Sequence, residues 1–269
     1  MTHFVSFRAG GTGRSLDEPM LLTGDPAAGN LRLLSDLEFR RAVEGRQLLF
    51  GTHGFNTSYR AGALQLAQFD RSIALGGSGV FFGVLWPGDA AVPFINYPFE
   101  GSDAVECGRR LAALCNTRCA AAAGFSFVSH SLGGRLVLEA VRRLNRKARM
   151  MCLMAAAVDR DVLTNQYRAS LRNCEHVYVL SSTRDKVLRI AYPAGDFLSD
   201  LFGDSDSPFR SALGLRGPQP AAGPDVDDSR IPADPPCDHM GYMPGGSHWP
   251  RVHPYIRRSF DRSAHSWPP

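Results

Sequence analysis

Lysine is almost missing from this chain: of 30 basic residues, only Lys147 and Lys186 are not arginine. The skew reads as genome composition rather than function. Net charge is also scarce, because 26 acidic residues leave a balance of only +4. That argues against a dedicated nucleic-acid binder, which needs a concentrated basic face. No apolar run approaches the ~20 residues of a membrane span. The opening Met-Thr-His-Phe-Val-Ser-Phe-Arg lacks the charged-then-apolar pattern of a signal peptide. No spaced ligand motif such as H-E-x-x-H is present, so metal-dependent hydrolysis has no anchor here. Neither a metal nor a cofactor is expected.

Cysteine is present without metal-site spacing. Cys107, Cys115 and Cys119 fall in an Ala- and Leu-rich stretch, and Cys152 falls in an apolar run. They read as small core residues with reduced thiols, as expected of a cytoplasmic protein. With 269 residues, 44% of them hydrophobic, the chain is long enough for a single large α/β domain spanning 1–269.

The chain is organised around residues 124–136, Gly-Phe-Ser-Phe-Val-Ser-His-Ser-Leu-Gly-Gly-Arg-Leu. Gly124 to His130 reads as a buried strand. Ser131 follows at once, and an amphipathic helix runs through Leu136, Val137, Ala140, Val141 and Leu144. Strand, sharp turn at serine, helix is a nucleophile elbow, which lifts a serine hydroxyl at the edge of a sheet. Small neighbours let the helix leave close to the strand. Gly133 supplies one, and Ser129 stands where G-x-S-x-G has glycine.

Around the elbow, apolar runs at 46–53, 80–86, 150–157 and 177–182 read as strands, and 58–74 and about 102–122 as helices. Residues 3–8 read as an edge strand. Ser35 followed by Glu38 marks a capped helix to Glu44. Arg160 and Asp161 open a short helix after the 150–157 strand. Alternating strands and helices predict a mainly parallel sheet flanked by helices. Residues 90–101 read as a loop, whose Phe94, Tyr97 and Phe99 either wall an acyl pocket or pack on the core. From 187 to 236 glycine and proline replace periodicity, which suggests a long irregular, lid-like segment. A last helix is expected at about 251–261.

The elbow resembles the α/β-hydrolase superfamily. Four blocks narrow the resemblance to the bacterial family known as domain of unknown function 900: His53-Gly54-Phe55-Asn56-Thr57, Trp86-Pro87, Ser129-His130-Ser131-Leu132-Gly133, and Ala155-Ala156-Ala157-Val158-Asp159-Arg160-Asp161. Together they cover roughly residues 46–190. The resemblance implies an α/β-hydrolase fold and the chain order nucleophile, acid, histidine. Ser131 is then the nucleophile. Asp185, just past the second strand after the elbow, is the preferred acid, with Asp159 behind it and Asp89 and Asp161 further back. His239 is preferred as base, and His248 is the alternative. His130 points the wrong way to serve Ser131. The N–H groups of Phe55 and Leu132 form the expected oxyanion hole, with His53 structural.

The implied activity is hydrolysis of a small-molecule carboxylic ester through an acyl-enzyme, without nucleic acid or a transmembrane segment. The alternative is a non-catalytic protein that keeps the fold for binding. Nothing in the sequence fixes the oligomeric state.

Overall fold

The computed structural model describes residues 1–89, 97–191, 211–220, 223, 226–230 and 237–258. Among the described residues, nine strands form one sheet in the order β3-β2-β1-β5-β4-β6-β7-β8-β9. They are β1 (Thr2–Arg8), β2 (Leu16–Gly24), β3 (Arg32–Leu33), β4 (Gln47–Thr52), β5 (Val80–Leu85), β6 (Gly124–His130), β7 (Ala148–Met154), β8 (Cys174–Ser181) and β9 (Val226–Arg230). From β1 to β9 every neighbouring pair is parallel. The β1-β2 and β2-β3 pairs are antiparallel. This is an α/β-hydrolase fold.

Helices cover both faces, so the central strands are apolar on both sides. On one face lie α1 (Asp36–Val43), α3 (Tyr97–Asn116) and α4 (Gly133–Val141), packed with Phe50, Phe82 and Phe127. On the other lie α2 (Tyr59–Ile73) and the final helix Trp249–Arg258, packed with Leu49, Phe81 and Val128. Phe50 stacks on Phe82 at 5.7 Å and on Phe127 at 5.5 Å between ring centroids. Each of these rings is fully or almost fully buried. Burial of each contributes about 2–3 kcal/mol, and each ring pair about 1 kcal/mol more. Phe50 is directly opposite both partners in the ladder. A one-residue slip would move these rings to the wrong face, so they also fix the register.

Sequence signals explain the helix starts. Ser35 and Glu38 form the expected capping box of α1. Ser58 accepts from the Ala61 N–H at the start of α2. Sequence patterning misplaced other elements. β1 is an interior strand, because residues 16–24 pair with it as β2. Helix α3 begins at Tyr97, inside the expected loop. Phe94 lies outside the described residues, as do the side chains of Tyr97 and Phe99. Arg160 and Asp161 enter a run of turns, and the next helix is α5 (Arg168–Arg172). Within 187–236 the described residues include part of α6 (Lys186–Ala191), a helical turn at Leu213–Arg216, and β9. Residues 192–210 and 231–236, which carry much of the expected lid, lie outside the described residues.

The topology sets the site. After β4 the chain steps to β5, then crosses back past β4 to β6 and continues outward. Loops from β4 and β6 therefore leave on opposite faces. The C-terminal ends of strands flanking such a switch are where ligands bind in open α/β sheets.

Candidate active site

Strand β6 ends at His130, and the backbone turns at Ser131 with φ of 54°. That left-handed conformation costs a non-glycine residue about 1–2 kcal/mol. Three hydrogen bonds hold it. The Ser131 N–H donates to Met154 O at 3.0 Å, and Ser131 O accepts from the Gly134 N–H at 3.0 Å and the Ala157 N–H at 3.2 Å. The turn is thus clamped to the end of β7 and the start of α4. Ser131 is 8% exposed, so it is sheltered but reachable.

The β4 loop lies directly against it. A methyl placed on Gly54 would sit 3.0 Å from Ser131 Cβ and 3.0 Å from His130 Nδ1. Any side chain there would force both neighbours to give way by a few tenths of an ångström. Phe55 packs partly buried against the core, and the fully buried Leu132 leads into α4. The N–H groups of Leu132 and Gly133 precede the first bond of the α4 turn. The loops bearing Phe55 and Leu132 therefore meet at the serine.

His53 is fully buried. Its Nδ1–H donates to Gly54 O at 2.9 Å, its ring stacks on Trp86, and the Trp86 indole N–H donates to His53 O at 2.9 Å. Burial pushes its pKa down to about 4, so it is a neutral support for the loop. Arg8, also fully buried, reaches across from β1. It donates to Thr57 O at 3.0 Å, to Gly13 O at 3.1 Å and to Asp89 at 2.6 Å. Asp89 therefore holds Arg8 rather than a histidine. Neither arginine nor aspartate carries a sequence signal for this pairing.

Asp185 follows β8 and opens α6. Its Oδ1 accepts from the Leu188 N–H at 2.9 Å, and its Oδ2 accepts from the His239 Nδ1–H at 2.7 Å. The carboxylate is fully buried and the imidazole partly exposed, at 13%. Asp159 instead lies past β7 in a bridge with Ala212. His248 is buried at the entry to the final helix, its N–H on Gly241 O. The structure therefore pairs Asp185 with His239. The His239 ring also lies 4.7 Å from the His130 ring, next to Ser131. His130 donates its Nε2–H to His239 O at 2.6 Å. Burial, then the nearby His239, pushes the His130 pKa down to about 3. Sequence patterning did not reveal this contact, since it depends on where the late loop lands.

Among the described residues no group of three or more Cys, His, Asp or Glu side chains is arranged to hold a metal ion. No described helix is long and apolar enough to cross a membrane.

The elbow serine follows His130 directly, and the His130 ring meets the carboxylate-bound His239. The family described as "Alpha/beta hydrolase of unknown function (DUF900)" matches residues 35–206, more than half of the chain. The chain belongs to that family. This member of the DUF900 family matches no curated protein. Among solved structures it is similar to an esterase from Pyrobaculum calidifontis, at 12% identity and a TM-score of 0.50, over 98% of this chain and 85% of that one. It is also similar to a predicted CIB-like hydrolase from Thermoplasma acidophilum, at 12% identity and a TM-score of 0.45, over 89% and 93% of the two chains. A thermostable carboxylesterase cloned from a metagenomic library gives 11% identity and a TM-score of 0.46, over 83% of each chain. At such identities the likeness concerns the fold alone.

Proposed function

We propose that this DUF900 member is a cofactor-independent serine hydrolase of carboxylic esters, with Ser131 as nucleophile, His239 as base and Asp185 as the orienting acid. The observation that carries the proposal is the 2.7 Å Asp185–His239 bond formed beside the elbow. With Nδ1–H committed to the carboxylate, Nε2 is the nitrogen left to take a proton. Ser131 Oγ attacks the ester carbonyl while its proton passes to His239 Nε2. The carbonyl π pair moves onto oxygen, where the Phe55 and Leu132 N–H groups receive it; each such donor is worth roughly 100- to 1,000-fold in rate. Asp185 stays ionised and stabilises the imidazolium. His239 then returns the proton to the leaving alkoxide, which departs as the alcohol. Water, deprotonated by the same imidazole, cleaves the acyl-enzyme to the acid and restores Ser131. Six free, buried thiols fit the cytoplasm as its location.

The test is hydrolysis of p-nitrophenyl esters from acetate to longer acyl chains, alongside fluorophosphonate labelling. Wild type is expected to hydrolyse and to be labelled at Ser131. Ser131→Ala and His239→Ala should fall to background, and His248→Ala should stay within about 3-fold. Asp185→Asn should lose roughly 10,000-fold in kcat, the scale seen when a triad acid becomes an amide. A wild type that neither hydrolyses any ester nor takes the label would leave a binding protein on a hydrolase fold. Loss of activity in His248→Ala with His239→Ala intact would move the base.

A further inference from the structure

A histidine on a late loop has to present its ring to a serine carried by another element. Loop residues hold such geometry only when other groups fix their backbone. Here the backbone of 237–239 is held at two carbonyls. Ser182 Oγ donates to Cys237 O at 2.8 Å, and His130 Nε2–H donates to His239 O at 2.6 Å. Ser182 comes directly after β8 and lies three residues before Asp185, while His130 is the last residue of β6 and precedes Ser131. The loop is therefore fastened to the two strand ends that carry the acid and the nucleophile.

We propose that His130 is a positioning residue: its Nε2–H grips the carbonyl of His239 and fixes where the His239 ring stands between Asp185 and Ser131. The proposal rests on His239 being the base. The ring of His130 is buried and lies 4.7 Å from that of His239. A neutral ring there does not oppose the imidazolium that forms on His239 during turnover, whereas a charged ring would. Donation to a carbonyl fixes the tautomer, with hydrogen on Nε2 and Nδ1 free of hydrogen. That nitrogen faces the Gly54 backbone (a methyl on Gly54 would lie 3.0 Å from it). One side chain thus touches the loop of the base and the loop of the expected oxyanion hole.

The test uses side chains of graded reach. In glutamine, Nε2 is three bonds from Cβ, as in histidine, so His130→Gln keeps a donor near the same point. Asparagine places its amide nitrogen where Nδ1 stood, and phenylalanine fills the ring's volume without a donor. Two readouts are taken on each variant and on wild type. One is kcat and KM for a p-nitrophenyl ester. The other is the NMR signal of the His239 Nδ1–H in protein carrying 15N-histidine, with its exchange with water.

We expect His130→Asn and His130→Phe to lose about 100-fold in kcat, the scale of a misplacement near 1 Å, with KM within about 3-fold. Their Nδ1–H should exchange faster. His130→Gln should stay within about 10-fold in kcat and keep the signal. Equal impairment of Gln and Asn, or a Phe variant with wild-type kcat and exchange, would overturn the proposal. If the Phe variant does not fold, the Gln–Asn contrast decides alone. A wild type without the Nδ1–H signal, or a Ser131→Ala variant that still hydrolyses ester, would refute the triad itself, and the proposal with it.

Discussion

Two adjacent glycines at the start of α4 should respond oppositely to the same added methyl. On Gly133 the new Cβ would lie 2.5 Å from His53 O and 2.5 Å from Thr52 Oγ1. A carbon against a carbonyl oxygen settles near about 3.3 Å, so α4 or the end of β4 must give way by about 0.8 Å. The Thr52 hydroxyl can rotate, but its Cβ (3.2 Å away) and the His53 carbonyl cannot turn aside. His53 O is a backbone atom that accepts from the buried Trp86 indole, and Thr52 is in the ladder between β5 and β6. Overpacking of this kind costs about 1–3 kcal/mol. The shift falls between the loop proposed to supply the oxyanion hole and the proposed nucleophile, where a 1 Å error is worth roughly 100-fold in rate. On Gly134 the nearest atom would be the Ala156 methyl at 3.3 Å. That neighbour needs to move only slightly, and alanine regains roughly 1 kcal/mol of helix propensity. Gly133→Ala should therefore lose about 2 kcal/mol in urea unfolding and about 100-fold in ester kcat. Gly134→Ala should stay within about 1 kcal/mol and about 3-fold. Equal behaviour of the two variants would refute the packing account of the elbow, and the unfolding arm decides this whatever the substrate.

Two further predictions concern buried groups outside the proposed triad. His53 and His130 are buried with pKa values pushed down to about 4 and about 3, while in the unfolded chain both titrate near the ordinary ~6.5. Their contribution is present above about pH 6.5 and is lost as pH falls towards the folded values, because only the unfolded state takes the protons. Each weakens stability by about 1.4 kcal/mol per pH unit in that window. Urea unfolding between pH 6.5 and 4.5 should show their joint slope, His53→Asn should halve it, and an unchanged slope would speak against this origin. Arg8→Met should cost about 3 kcal/mol in the same assay, since it breaks a buried pair and frees the Thr57 carbonyl. A loss below about 1 kcal/mol would class the contact with surface ion pairs.

The parts of the fold legible in the sequence are those where local chemistry and tertiary environment agree. β4, β5 and β6 are apolar on both faces because helices cover both, so short unbroken apolar runs reveal them. β2 hid behind Asp17, Glu18 and Pro19, which occupy its exposed or half-exposed half, while Leu21 to Gly24 are buried. Once β2 is placed, β1 ceases to be an edge. β9, Val-Asp-Asp-Ser-Arg, has almost no strand signal of its own. It is a strand because β8 offers it a ladder, with Val177 opposite Val226. At the site, the serine was legible because a sharp turn needs small neighbours in fixed places. The preference for His239 over His248 rested on a local sequence pattern alone, and the pairing of His239 with Asp185 comes from the fold. Both lie before the final helix, and chain distance cannot say which one the Ser182 and His130 bonds bring to Asp185.

All six cysteines are free and buried, and they are spread through the fold. Cys107 and Cys115 lie in α3 and Cys119 just beyond it, Cys152 lies in β7, Cys174 in β8, and Cys237 in the loop that carries His239. Burial raises every one of these thiols, Cys119, Cys174 and Cys237 to about 12. At neutral pH the thiolate that alkylating reagents attack is nearly absent from the native protein. The molecule therefore carries its own silent tags. Pulse alkylation read by peptide mass would time the opening of α3, of the two strands and of the histidine loop separately, in the unaltered chain. A single cysteine added on the surface would be the one site that reacts while the fold stays closed.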